Sequence, residues 1–391
     1  MSRLAQRRGA DGEISWRRRT REAMPSSRLL SLCDWLPPDF GAVGQYALIA
    51  ARAAAEAGRD VTLVGLSSSG DSTEEMALGS GRLRIVRVRA ATYDRANLGR
   101  RLAWTLATNL RLLRRAWRAA RAADEILFTG SPPFFLHFIV PANLVLRKRL
   151  AYRITDFHPE CLIAELGREP WWLGAFRRWT NVLRWRVHRF EVLGEDQRRR
   201  LHEIGIPEAR IELRRDGPPV EIGAEVEPLP RPAELAGRIV LLYSGNFGVA
   251  HDDATFVEGY ERHHRAGSGR VALWLNATGA KADRVEAELR RRGLPVHRSR
   301  PVPLGELARL LKTPDAHLIT LRDAFVGYVL PSKVYGCVAS GRPILFVGSA
   351  GSDVHLLCSR ARSDSGYWRV ETGDPEGVRA ALDRLGRGAR E

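Results

Sequence analysis

The stretch Phe325–Val354, FVGYVLPSKVYGCVASGRPILFVGSAGSDV, constrains the fold of this chain more than any other. Leu330-Pro331 makes a turn, Ser332 stands where an N-cap belongs, and a short apolar segment runs to Ser340-Gly341. Pro343, the β-like run Ile344–Val347 and a second glycine-broken turn, Gly348–Ser352, then open towards Asp353. A turn–helix–strand–turn–helix succession puts two helix N-termini on one edge of a parallel sheet. Each offers unpaired N–H groups and the positive end of a dipole, which suits phosphate. Lys333, one of only four lysines, falls inside the first turn, where a mobile ammonium is a natural partner for a diphosphate. Ser332, Lys333, Gly351 and Ser352 are therefore candidate anion-binding residues.

At 391 residues the chain is too long for one ordinary core, and two domains are expected. Its 44% hydrophobic and 27% charged content is that of a soluble globular protein. A net charge of +17, nearly all the cation being arginine, suits an anionic partner: nucleic acid, anionic headgroups or a nucleotide diphosphate. Cysteines at 33, 161, 337 and 358 have no regular spacing, so structural thiols in a reducing compartment are expected rather than disulfides or a metal site. The segment 1–27 is basic and polar without an apolar core, hence not a signal peptide, and is expected to be poorly ordered. The most apolar run, Ile126–Leu146, is punctuated by Ser131-Pro132-Pro133, His137, Pro141 and Asn143 and is assigned a strand, a turn and a buried helix.

In the first half, Arg28–Leu32, a loop rich in proline and glycine, a helical run from Val43 to Gly58 and Val61–Val64 compose a β–loop–α–β unit. Gly44 in that loop either admits a ligand to the backbone or serves only a tight turn. There is no GxGxxG fingerprint and no acidic residue at ribose distance, which argues against a nicotinamide cofactor. Strands are expected at Leu83–Val88, Glu125–Phe128 and Leu150–Ile154, with a basic helix over 96–122. Thr155-Asp156-Phe157-His158-Pro159-Glu160 then puts a carboxylate and an imidazole just past a strand end, where α/β folds hold ligands. Asp156 and His158 are candidate catalytic groups; the alternative for Asp156 is a cap on the turn before Pro159. Trp171–Phe190 (WWLGAFRRWTNVLRWRVHRF) sets four tryptophans among arginines at helical spacing. It suits either an anionic membrane surface or a helix with an aromatic core face and a solvated basic face.

Residues 217–232 shift to proline, glycine and glutamate, and an interdomain linker is assigned to 221–236. The expected division is 28–220 for an N-terminal Rossmann-like domain, 237–373 for a second, and 374–391 for a terminal helix packing back on the first. After the strand Ile239–Tyr243 comes a glycine turn, Ser244-Gly245-Asn246-Phe247-Gly248, ahead of His251. Gly245, Asn246, Gly248 and His251 are further candidates for binding.

The PSKxYGxxASGRPIL run resembles the donor-binding region of family-4 glycosyltransferases of the GT-B fold, in particular the bacterial exopolysaccharide, colanic-acid-type branch. LCDWLPPDFGAVGQYALIAARAAAEAGRDVTLVG (32–65), RITDFHPE (153–160) and LLYSGNFGVAHD (241–252) follow that family's order and rough spacing. Four motifs in order cover nearly all the chain beyond its first few dozen residues. The resemblance implies an α/β GT-B fold of two Rossmann-like domains around a cleft. It also implies a retaining, metal-independent transfer of sugar from a nucleotide-diphosphate sugar, with no other cofactor, to a lipid-linked or polysaccharide acceptor. Gly44 and the turn at 244–248 would lie beside the diphosphate, and Asp156 and His158 would face the acceptor. Two glutamates usual in the family are replaced here by Tyr328 and Gly336, so the ribose role passes to Asp353, whose alternative is to cap its helix. The implied setting is cytoplasmic, with peripheral contact to the inner face of the plasma membrane. A nucleotide-sugar epimerase of the same fold and a basic nucleic-acid-binding protein are the competing readings. Against the latter, the basic residues are scattered through both halves without a recognised motif, so no nucleic-acid partner is expected.

Overall fold

The structure, a computed structural model, describes residues 27–39, 41–91, 98–361 and 366–388; the expectation for the basic N-terminus falls outside them, save for Ser27. The N-terminal domain is built on strands β1 (Arg28–Trp35), β2 (Asp60–Ser67), β3 (Ser72–Leu78), β4 (Gly81–Arg89), β5 (Glu125–Thr129), β6 (Arg149–Ile154), β7 (Arg189–Val192) and β8 (Ile211–Leu213). They form one sheet in the order β3-β4-β2-β1-β5-β6-β7-β8, parallel except for β3, which pairs antiparallel with β4. The central strands are nearly continuous apolar runs because helices cover both faces. Helix α1 (Ala42–Glu56) closes a core of Ala47, Ala51, Leu63 and Ile85 on one face. Helices α2 (Leu98–Ala122), α3 (Leu136–Leu146) and α5 (Trp171–Trp185) close the other, over Leu112, Ile139, Phe128 and Leu183. The short α6 (Glu195–Glu203) packs on β7 and β8, and the short α4 (Glu160–Leu166) meets the turn Asp323–Phe325 of the second domain.

The second domain carries β9 (Ile239–Asn246), β10 (Val271–Thr278), β11 (Val296–Ser299), β12 (Ala316–Thr320), β13 (Ile344–Val347) and β14 (Tyr367–Val370) in the parallel order β11-β10-β9-β12-β13-β14. Helices α7 (Ala254–Ala266), α8 (Ala280–Arg291), α9 (Leu304–Lys312), α10 (Lys333–Ala339), α11 (Asp353–Ala361) and α12 (Pro375–Gly388) complete it. In both sheets the chain order reverses beside the first strand, and ligands of such sheets lie at that crevice, outside the strand carboxyl ends. No helix among the described residues is long and apolar enough to cross a membrane.

Two expectations need correction. The terminal helix α12 does not return to the first domain. Its apolar stripe, Val378, Ala381, Leu382 and Leu385, belongs to the core of its own domain against α7, and Asp383 accepts a hydrogen bond from His263 Nδ1 at 2.8 Å. The segment Trp171–Phe190 is not one helix either: β7 begins at Arg189, and Phe190 is a buried strand residue. Within α5 the aromatic core face expected as one alternative is absent. The buried face holds Leu173, Thr180, Leu183 and Arg184, whose guanidinium forks onto Glu160 at 2.5 and 2.8 Å, while Trp171, Trp172, Trp179 and Trp185 point outward. A buried guanidinium is tolerable only with such bidentate pairing.

The α7–α12 contact depends on a missing side chain. A Cβ on Gly259 would stand 2.4 Å from Val378 Cβ and 2.6 Å from the Pro375 carbonyl. Gly259→Ala is therefore expected to destabilise the second domain by about 1–3 kcal/mol, read from the midpoint of denaturant unfolding, by forcing the helices apart. An unchanged midpoint would contradict this packing.

Candidate active site

The cleft is set by a reciprocal contact between two helix N-termini of different domains. The first N–H of α6, Glu195, donates to Asp353 Oδ1 at 2.9 Å, and the first N–H of α11, Asp353, donates to Asp196 Oδ2 at 3.0 Å. Each helix thus receives at its positive end a carboxylate from the other. Arg215 forks onto Asp353 at 2.9 and 2.8 Å, and Arg199 Nη2 donates to the Gly351 carbonyl at 2.8 Å. A second seam joins Phe157 N–H to the Tyr328 carbonyl at 2.9 Å, with the Arg200 guanidinium stacked over the Tyr328 ring.

This geometry corrects the roles of Gly351, Ser352 and Asp353. The Asp353 carboxylate is fully buried and engaged by Arg215 and Glu195, so it is not turned to a ribose and does not cap its own helix. The α11 N-terminus is already occupied by Asp196, and Ser352, also buried, spends its hydroxyl on the Ser349 carbonyl. Ser332 likewise makes no capping bond; it lines the cleft instead.

Lys333 tells the opposite story. Its Nζ is buried, has no hydrogen-bond partner, and lies 3.3 Å from the centroid of the Tyr243 ring. Burial pushes this ammonium well below the ordinary lysine range. A Cβ on Gly245 would sit 4.0 Å from that nitrogen, so the glycine turn at the end of β9 and the lysine at the start of α10 face each other. Gly245 holds φ at +116°, a conformation other residues rarely adopt, and Gly248 and the Asn246 side chain stand beside it. His251 joins this group by sequence but not in kind: its Nδ1 is 2.6 Å from the Thr320 carbonyl, and burial together with Lys333 keeps it neutral. It packs edge-on against Tyr243 and Phe247 and supports the turn rather than supplying charge. Lys281 donates to the His251 carbonyl at 2.5 Å and is paired with Asp253 at 2.7 Å.

Across the cleft a cavity of about 170 Å³ is lined by Ala42, Val43, Tyr46, Thr129, Arg153, Asp156, Asp216, Leu330 and Ser332, among others. The α1 N-terminus opens into it without a capping side chain or an acidic residue in its first turn. Gly44 is explained by packing: a Cβ there would lie 1.8 Å from the Trp35 carbonyl, so only glycine lets α1 approach the loop. Arg153, buried, donates to Glu191 Oε2 at 2.9 Å and to Asp216 Oδ1 at 2.5 Å, fixing Asp216 at the wall. Asp156 reaches the cavity; burial pushes its carboxyl up to about 6. His158 does not line it. Its ring packs on Phe134 at 5.4 Å, and burial lowers it to about 4, so it is neutral. Tyr328 and Gly336 stand where two glutamates were wanted. The former is a domain-seam residue, and the latter's missing side chain makes room for Leu311.

Asp34, at the carboxyl end of β1, went unnoticed in the sequence. Burial and the neighbouring charge of Asp156 push it up to about 7, and its Oδ1 has no partner. Between the two aspartates lies the end of β5, where Gly130 packs so closely that a Cβ would stand 2.9 Å from the Asp156 carbonyl.

No protein-family model matches the chain, and no curated protein is significantly similar to it. Solved structures do match. Anabaena Alr3699/HepE in complex with UDP and glucose superposes with a TM-score of 0.62 at 10% identity, over 93% of this chain and 91% of that one. An E. coli trehalose-6-phosphate structure bound with UDP-2-fluoro glucose gives 0.64 at 15%, over 92% and 91%. WaaG, a glycosyltransferase of lipopolysaccharide biosynthesis, gives 0.59 at 14%, over 93% and 91%. The chain has the GT-B fold, its two domains superposing on these structures over 92–93% of its length.

The raised Asp34 has a consequence for stability. A carboxyl whose folded value (about 7) exceeds its unfolded value (3.8) contributes stability that is complete below the unfolded value and lost as pH rises through the folded one. Asp34→Asn cannot ionise, so its melting temperature relative to the parent is expected to rise between about pH 4 and about pH 8. A difference that does not change with pH would show Asp34 to be ordinarily solvated.

Proposed function

We propose that this chain is a glycosyltransferase that moves a sugar from a nucleotide-diphosphate sugar to a hydroxyl of a lipid-linked or polysaccharide glycan. The observation that carries the reading is the buried ammonium of Lys333, without a counter-charge, beside the Gly245 turn on a GT-B frame. A buried charge with no partner is unfavourable unless something anionic completes it. A diphosphate held by Lys333 and the backbone amides around 245–248 supplies that anion. The same contact neutralises the charge that grows on the leaving phosphate as the bond to the sugar breaks, electrostatic stabilisation being commonly the largest catalytic contribution.

Several neighbours of the same fold are bound to UDP or UDP-sugars, which supports a nucleotide sugar as donor. On the acceptor side Asp156 is the proposed base. At neutral pH a carboxyl at about 6 is mostly ionised yet basic enough to take the hydroxyl proton. His158 falls out of the catalytic set, since it faces Phe134. The cavity beside Asp156 is smaller than the 300–1,000 Å³ or so typical of ligand pockets, and Lys333 lies buried outside its lining, so we infer that the cleft opens to admit the donor and closes to exclude water. Retention of configuration, independence from metal and membership of the family-4 exopolysaccharide branch follow from the motif resemblance and are proposed with it.

Thermal-shift measurement with UDP, GDP, ADP and dTDP tests the donor site. One nucleotide is expected to stabilise the protein by about 2.7 kcal/mol at a hundredfold excess over its Kd, and Lys333→Met to abolish the effect while leaving the ligand-free protein at least as stable. Stabilisation by none of the four would overturn the transferase reading.

A further inference from the structure

Helices α2, α3 and α5 lie side by side on one face of the N-terminal sheet, α2 against α3 and α3 against α5. Their outward surfaces are unusual for a face in water. Along α2, Leu102, Leu106 and Leu110 recur every four residues and are all exposed. At the end of α3, Leu144 is 67% and Val145 75% exposed. On α5 the outward stripe is Trp171, Trp179, Val182 and Trp185, with Trp171 85% exposed. Large apolar side chains are thus displayed in sequence on three adjoining helices, and exposed apolar area of this extent marks a binding surface.

Charge narrows what binds there. α2 carries seven arginines and α5 three, and α2, α3 and α5 contain no acidic residue at all. Two of the three in α5 are paired elsewhere, Arg184 with Glu160 and Arg177 with Glu169, which leaves Arg178 among the tryptophans. A second copy of the chain would set one cationic face against another. Nucleic acid would answer the arginines but not the leucines and valines. An anionic bilayer answers both, with tryptophan rings at headgroup depth and aliphatic side chains just below.

We propose that the α2–α3–α5 face of the N-terminal domain docks on an anionic lipid surface. The surface stands on its own residues; only its purpose, bringing a lipid-borne acceptor to the cleft, rests on the proposed transfer.

Co-sedimentation of the full chain with phosphatidylcholine vesicles, with and without phosphatidylglycerol, tests this. Binding is expected only with the anionic lipid and is expected to weaken as salt is raised. Trp171→Ala with Trp172→Ala, both at exposed positions, should reduce partition by about tenfold or more without moving the melting temperature. Leu102→Gln with Leu106→Gln is an independent second variant with the same expected result. Equal partition to both vesicle types, or unchanged binding by both variants, would overturn the proposal. So would a concentration-dependent dimer lost in those variants, which would make the face a self-interface. Nucleotide stabilisation is measured on the same samples. If it survives while vesicle binding fails, the surface proposal falls alone; if it fails while vesicle binding survives, the transfer reading falls alone.

Discussion

The exchange of carboxylates between α6 and α11 is the contact on which the geometry of the cleft depends. Asp196 and Asp353 each satisfy the orphan N–H of a helix in the other domain, and Arg215 neutralises the pair where Asp353 is wholly buried. Removing one member would leave a buried charge uncompensated, at a cost of about 3–5 kcal/mol. It does not act alone: Cys161, Ala164 and Leu193 of the first domain share one buried apolar cluster with Phe325, Leu330 and Val334 of the second.

The same contact decides where an anion can go. Two helix N-termini on the edge of the second sheet look equivalent by sequence, but one is filled internally by Asp196. What remains is the space between the Gly245 turn and Lys333, whose buried amino group has no partner and whose charged form an arriving anion would favour. The Tyr243 ring beneath Nζ supplies a weak cation–π contact, which eases but does not replace an ion pair. Asp156, Asp216 and the open α1 N-terminus line a separate cavity, which reaches Ser332, the residue before Lys333.

Much of this was legible in the sequence, because the signals were local. The periodicities of 43–58 and 96–122, the apolar runs of β1, β5 and β13, and the turn chemistry around 331 and 348 each specify an element within a few residues. Lys333 and Gly245 were likewise marked by residue type and setting. Three features were not legible, each for a physical reason. β3, STEEMAL, is an exposed hairpin edge whose charged residues carry no core-facing pattern. The partner of Asp353 lies 138 residues away, and no local rule connects Arg215 to it. In α5 the buried guanidinium of Arg184 and the outward tryptophans invert the usual rule of sidedness, and only the position of Glu160 explains the inversion. The misplaced terminal helix has the same origin, since its stripe is equally compatible with either domain until Asp383 meets His263.

The most direct measurement is a crystal structure of the protein with the nucleotide diphosphate that stabilises it. The account predicts the pyrophosphate between the amides of residues 245–248 and Lys333, its phosphate oxygens within about 3 Å of Nζ. A pyrophosphate seated instead at the N-terminus of α11, with Asp196 displaced, or one leaving Lys333 Nζ unpartnered over Tyr243, would contradict it.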